Sequence, residues 1–198
     1  MLIPGSGVGT RNKNIYNRKL LMRTSHALAA NKYEEYRKKA RSISTDVLPD
    51  YLRQATKLKS IDSSALAAAS VWADDPARHV NWDWIFANRY TFRHPNAFDL
   101  SVWVGNTLCS LSLGRPSHNG KFMRLDYLEK APSQCPFSSD MVGITLVAYQ
   151  TYATLIGAKQ LRIIDPINDK VLKSYLRHGG FSYQKAKQGN PHCLVKEL

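Results

Sequence analysis

The spacing of apolar positions changes along the chain, and each change marks an element. From Tyr16 to about Arg41 they recur at helical intervals, with Tyr16, Leu20, Leu21, Ala27, Leu28, Tyr33, Tyr36 and Ala40 on one broad face and basic residues opposite. Ser44 or Thr45 caps a second, short helix predicted over roughly 46–58, with Leu48, Tyr51 and Leu52 inward and Pro49 in its first turn. Ser63 and Ser64 open a third helix across Ala65–Trp72, which Asp74-Asp75-Pro76 ends. The first 75 residues therefore read as helical, preceded by a leader at 4–10. That leader has alternating glycines but neither the preceding strand nor the Lys-Ser/Thr pair that a phosphate loop requires.

Beyond Pro76 the period falls to two. An aromatic-rich stretch, His79–Phe86, leads to a turn at Pro95-Asn96. Ala97–Val104 places Phe98, Leu100 and Val102 on one side, Gly105-Asn106 is a hairpin signal, and Thr107–Leu113 is the return strand. A turn at Arg115–Gly120 precedes a third strand, Phe122–Leu128. A long apolar helix follows from about Ser139 to Ile156, with Gly157 as its C-cap. Next come a strand at Gln160–Ile164, a helix over Asp169–His178 closed by Gly179-Gly180, and closing strands at Phe181–Tyr183 and Cys193–Val195. This order predicts an α/β (α+β) fold with a mixed, mostly antiparallel sheet flanked by helices. It divides the chain into a basic helical extension, 1–75, and a sheet domain, 76–198.

Charge sharpens that division. The chain of 198 residues carries a formal +13, and residues 1–60 hold thirteen Lys and Arg against four Asp and Glu, a net +9. A concentrated positive segment attracts polyanions, so a nucleic acid or an acidic protein is a candidate partner of the basic N-terminal helices, beside the plainer reading of a solvated helix face. Three widely spaced cysteines without a CxxC pair argue against a disulfide framework or zinc site and for a reducing compartment. The six histidines lack metal-ligand spacing, so no metal is expected. No run approaches the roughly 20 apolar residues of a membrane span, and no apolar signal core follows Met1, so a cytoplasmic location is the expectation.

Three local features together resemble the GNAT superfamily of acetyl-CoA-dependent N-acetyltransferases, over about 97–185 and more weakly from 80. They are the helix from Gly143 to Gly157-Ala158-Lys159, the strand Gln160–Ile164, and the series Asn168, Tyr175, Gly180-Phe181. The resemblance implies a GNAT-like sheet and transfer of an acetyl group from acetyl-CoA, or another acyl-CoA, to an amine of an unidentified acceptor. It implies that neighbouring strands splay, so that backbone groups of Tyr127, Leu128 and Glu129 bond the pantetheine arm as an added strand would. The pyrophosphate then falls to the loop residues Ser138 and Ser139 and to free N–H groups at Met141, Val142, Gly143 and Ile144. By the same resemblance Asn168 contacts the cofactor and Tyr175 protonates the departing thiolate. Glu129, and after it Asp126, are the candidate bases for the amine's proton.

Two positions depart from the family pattern. Ser138-Ser139-Asp140-Met141-Val142-Gly143 stands where the loop reads Arg/Gln-x-x-Gly-x-Gly/Ala, and Tyr175 to Phe181 is one residue longer than usual. The irregular loop favours an alternative, a catalytically silent GNAT-like interaction module working through its basic helices to bind a nucleic acid or acidic protein, and the longer spacing shifts the expected place of Tyr175.

Overall fold

The computed structural model describes residues 9–133, 135–187 and 189–198, with side chains at Thr24 and from His26 onward. The leader at 4–10 lies outside it except for Gly9 and Thr10, and so do the side chains of Tyr16, Leu20 and Leu21. The elements run α1 (Gly9–Asp46), α2 (Asp50–Ala55), β1 (Thr56–Lys59), α3 (Ser63–Ser70), α4 (Phe86–Arg93), β2 (Phe98–Val104), β3 (Thr107–Pro116), β4 (Phe122–Lys130), α5 (Met141–Leu155), β5 (Gln160–Ile164), α6 (Asp169–Leu176), β6 (Ser182–Gln184) and β7 (Cys193–Glu197). Seven strands form one sheet in the order β1-β2-β3-β4-β5-β7-β6. Every pairing is antiparallel except β4 with β5. The expected mixed, mostly antiparallel sheet flanked by helices is the observed architecture.

Alternation along the strands divides the apolar side chains between two cores. Phe98, Leu100, Met123, Leu125, Leu161 and Ile163 meet α1 and α5 on one face. Leu111 and Leu113 meet Ala65, Trp72, Trp84 and Ala87 on the other. α5 is apolar on most of its surface because it lies between the sheet and α1, and Tyr149 and Tyr152 are wholly buried within it. Their hydroxyls donate to the carbonyls of Phe98 and Asn96, which satisfies the polar tips of two large buried rings. Gly157 ends the helix in the left-handed region, φ +79°, with the Ala158 amide returning to the Ala153 carbonyl.

The N-terminal part departs from expectation in three ways. Thr56–Lys59 is the edge strand β1, paired with β2, where a helix over 46–58 was expected. Its four residues are too few for a period-two signal to stand out beside the helical spacing of Leu48 and Leu52. Tyr51, expected inward, is exposed, and so are Ala27 and Leu28 on α1, whereas Tyr33, Tyr36 and Ala40 do face the core. Finally, two of the α1 cations face the protein. Arg37 donates to the carbonyls of Pro95 and Ala97, and Arg41 pairs with Asp99 at 3.1 Å, so arginines fasten α1 to the sheet. α4 had no counterpart in the sequence reading, which took 79–86 only as an aromatic stretch.

Among the described residues no helix is long and apolar enough to cross a membrane.

Candidate active site

The candidate site begins with one extra residue. In the β3–β4 register Leu113 faces Tyr127 and Gly114 faces Leu125, so Asp126 is inserted without a partner. Such a bulge bends its strand and increases the local twist. The turn of the backbone depends on Gly114, because a Cβ there would lie 2.0 Å from the Arg124 carbonyl oxygen. On the other side of β4, parallel pairing runs from Phe122–Gln160 to Leu125–Ile163 and stops. β4 continues to Lys130, but β5 turns away after Ile164, where Asp165 takes φ +51°. The β4 edge beyond Leu125 therefore has no neighbouring strand on the β5 side, although its backbone groups still require hydrogen-bond partners.

A cleft of about 600 Å³ opens at this divergence, within the range of small-molecule sites. Its walls are β4 from Leu125 to Lys130, the end of β5, α6, the start of α5 and the 77–82 loop. Of the residues expected at the site, it brings together Asp126, Tyr127, Leu128, Glu129, Ser138, Val142, Asn168 and Tyr175. Ser139, Met141, Gly143 and Ile144 do not line it. The amides of Met141, Val142 and Gly143 precede the first intrahelical bond of α5 and find no backbone acceptor among the described residues. The Ile144 amide is not free: it donates to the Asp140 carbonyl at 2.9 Å, which corrects its expected place among the free N–H groups.

No protein-family model matches the sequence, and no curated protein matches it. Solved structures do match the fold. The Campylobacter jejuni N-acetyltransferase PseH superposes with a TM-score of 0.51 at 13% identity, over 72% of this chain and 98% of that one. The GNAT domain of S. lividans PAT gives 0.51 at 11%, over 72% and 90%. The ribosomal L7/L12 α-N-protein acetyltransferase RimL gives 0.51 at 11%, over 74% and 94%. The chain has the GNAT fold.

Within that GNAT fold the two carboxylates of the site are held differently from what their spacing suggests. Glu129 is almost wholly buried and accepts from Arg78 Nε at 2.5 Å, from Arg78 Nη2 at 3.1 Å and from Trp84 Nε1 at 2.7 Å. Asp126 accepts the Tyr90 hydroxyl at 2.5 Å on one oxygen and the Arg124 guanidinium at 2.7 Å on the other. Burial, reinforced by Asp126, pushes the Tyr90 hydroxyl well above its ordinary pKa. Burial alone does the same for Tyr175, which lies inward on α6 and stays protonated throughout the neutral range. Asn168 is the N-cap of α6; its side-chain oxygen accepts the Val171 amide at 2.9 Å, so that atom serves the helix.

The Ser138–Gly143 segment, which has no basic residue of its own, is bordered by cations from elsewhere. Lys130 donates to the Ser138 carbonyl at 3.2 Å, and Lys170 and Arg177 line the cleft. His178 stands over Gly143, where a Cβ would meet its ring at 3.5 Å. Burial lowers the His178 pKa, with Arg177 and Lys196 adding to the effect. Asp140 is occupied by Tyr51 and Ser139 hydroxyls, each at 3.2 Å.

Sequence reasoning missed Arg78, Trp84 and Tyr90. The aromatic stretch 79–86 signalled Trp84 only in general terms and did not reach Tyr90. Arg78 meets its partner 51 positions away, and no local pattern announces that pair.

Proposed function

We propose that the protein is a GNAT-type N-acyltransferase that uses acetyl-CoA, or another acyl-CoA, and an amine acceptor. The observation that carries this reading is the loss of β4–β5 pairing after Leu125, which leaves an unpartnered strand edge facing the cleft, with free α5 amides nearby. The residues present fit the cofactor: the backbone of Tyr127 to Glu129 is suited to an extended amide-bearing arm. The amides of Met141 to Gly143, with Lys130, Lys170 and Arg177 nearby, suit its phosphates. When bound, an acyl-CoA supplies an acyl group activated as a thioester, whose C–S bond is exchanged for the acceptor's C–N bond.

The proton movements fall to the chain. Tyr175 brings a hydroxyl kept protonated by burial and is the proposed donor to the leaving sulfur. Asp126 is the proposed acceptor of the amine's proton, directly or through water, because it lies at the bulge where the two strands part. Glu129, first choice on sequence, is assigned instead to positioning: it is the more buried of the two and anchors Arg78 and Trp84 behind the 77–82 loop, whereas Asp126, though engaged by Tyr90 and Arg124, is only partly buried. Titration calorimetry with acetyl-CoA tests the reading. Saturable binding is expected; no heat at millimolar acetyl-CoA or a longer acyl-CoA would contradict it and leave the silent interaction module.

A further inference from the structure

Three arginines stand side by side across β3, β4 and β5. Arg115 is registered opposite Arg124, and Arg124 beside Arg162. Registered residues on adjacent strands share a face about 4.8 Å apart, and like charges placed so oppose each other. One carboxylate offsets them. Asp126 pairs with Arg124, and among the described residues no other carboxylate comes within ion-pair distance of the three. Arg162 lies 3.9 Å from the Phe122 ring and donates from Nε and Nη2 to the Gln160 side chain, which fixes its plane and leaves Nη1 unengaged. Arg115 makes no hydrogen bond among the described residues. The row's field reaches its surroundings: Arg115 and Arg124 join burial in lowering the His94 pKa, and Arg162 and Arg124 oppose the rise that burial imposes on Cys193.

We propose that this row binds the phosphate groups of a phosphate-ester ligand. Arg124 spends Nε and Nη2 on one oxygen of Asp126, whose other oxygen accepts from Tyr90, so a single carboxylate leaves most of the row's donors uncommitted. Two guanidiniums flanking a strand-width gap suit a tetrahedral anion that can accept from both, and the row of three offers two such gaps. The inference is independent of acyl transfer and is tested without acyl-CoA. Asp126 belongs both to this row and to the cleft wall, so a bound phosphate ester lies beside the cleft.

The experiment uses the full chain and fluorescence anisotropy with a labelled 12-nucleotide single-stranded oligouridylate, with pyrophosphate and polyglutamate as competitors. Compared with the unaltered chain, Arg115→Gln/Arg162→Gln is expected to weaken binding at least tenfold. It should also reduce the slope of log affinity against log salt by about 1.4, from two lost phosphate contacts at about 0.7 each. Displacement by pyrophosphate identifies a small phosphate ester as the ligand, and its failure identifies a phosphodiester strand; either supports the site. Displacement by polyglutamate as readily as by pyrophosphate would overturn phosphate recognition. Equal affinity in the arginine variant, or loss only in a Lys32→Gln/Lys38→Gln/Lys39→Gln variant of α1, would overturn the site. Should the double Gln variant unfold, Arg115→Lys/Arg162→Lys keeps the charge and removes the fork, and it must also weaken binding.

Discussion

The two seams that flank β4 are made by one strand and differ in kind. On the β3 side, pairing continues from Met123 to Lys130 across a single bulge. On the β5 side it ends at Leu125, and the unpaired edge faces the cleft. The closed seam has core packed against it: Leu111 and Leu113 lie under the Trp84 cluster on one face, and Tyr149 rests against the strand on the other. The open seam has backbone groups and charge: an unpaired strand edge, free amides of α5, and lysine and arginine at the rim. One inserted residue, Asp126, thus stands where the sheet opens into the cleft, while the cores on both faces remain filled.

The closed seam should be the more fragile under substitution. Gly114→Val would put a Cβ 2.0 Å from the Arg124 carbonyl oxygen and 2.9 Å from the Tyr149 ring, so a strand or α5 must move. A loss of more than about 4 kcal/mol is expected in urea unfolding, the range reached when a core feature is broken outright. A midpoint close to that of the unaltered chain would show that the glycine does not hold the bulge. Glu129→Ala strips a buried arginine of its counter-charge and leaves the Trp84 N–H without its acceptor. A cost of about 3–5 kcal/mol is expected from thermal or denaturant unfolding, with recovery in Glu129→Ala/Arg78→Met, where no unpaired charge remains.

The open seam should respond in chemistry more than in stability. Tyr175→Phe is expected to lower turnover about 100-fold, with acetyl-CoA affinity in calorimetry nearly unchanged. Unchanged turnover would remove Tyr175 as the proton donor. Gly143→Ala is expected to do least. A Cβ there meets only the His178 ring, at 3.5 Å and 3.7 Å, an ordinary contact, so the variant should be unchanged or more stable by up to about 1 kcal/mol, because alanine favours a helix over glycine. Gly143 does not line the cleft, so acetyl-CoA affinity is also expected to stay nearly unchanged, and a large loss in this variant would show that a side chain there obstructs the cofactor.

Part of the sheet was legible because β2 and the middle of β3 alternate apolar with polar residues. Phe98, Leu100 and Val102 marked β2, and Gly105-Asn106 the hairpin, as the structure places them. The cleft was legible only through resemblance, since nothing in Arg124–Leu128 signals that Asp126 is the inserted residue. A bulge depends on the partner strand's glycine, which sequence spacing does not connect to it. β1 was hidden by its shortness. Arg78–Glu129 and Arg41–Asp99 were hidden for a further reason. Each joins residues more than 50 positions apart, and a charge pattern read locally assigns such arginines to a solvated face. The basic N-terminal segment is accordingly less of a free cationic surface than its count suggests, with Arg37 and Arg41 spent on the sheet.

Amide hydrogen exchange with and without acetyl-CoA tests the central claim most directly, because the claim concerns backbone groups. The account predicts that saturating acetyl-CoA slows exchange in β4 beyond Leu125 and at Met141–Gly143, while the paired residues of β2 and β3 stay as they were. Saturable binding with no added protection on either segment would contradict it, and would place the cofactor somewhere other than the divergence of β4 and β5.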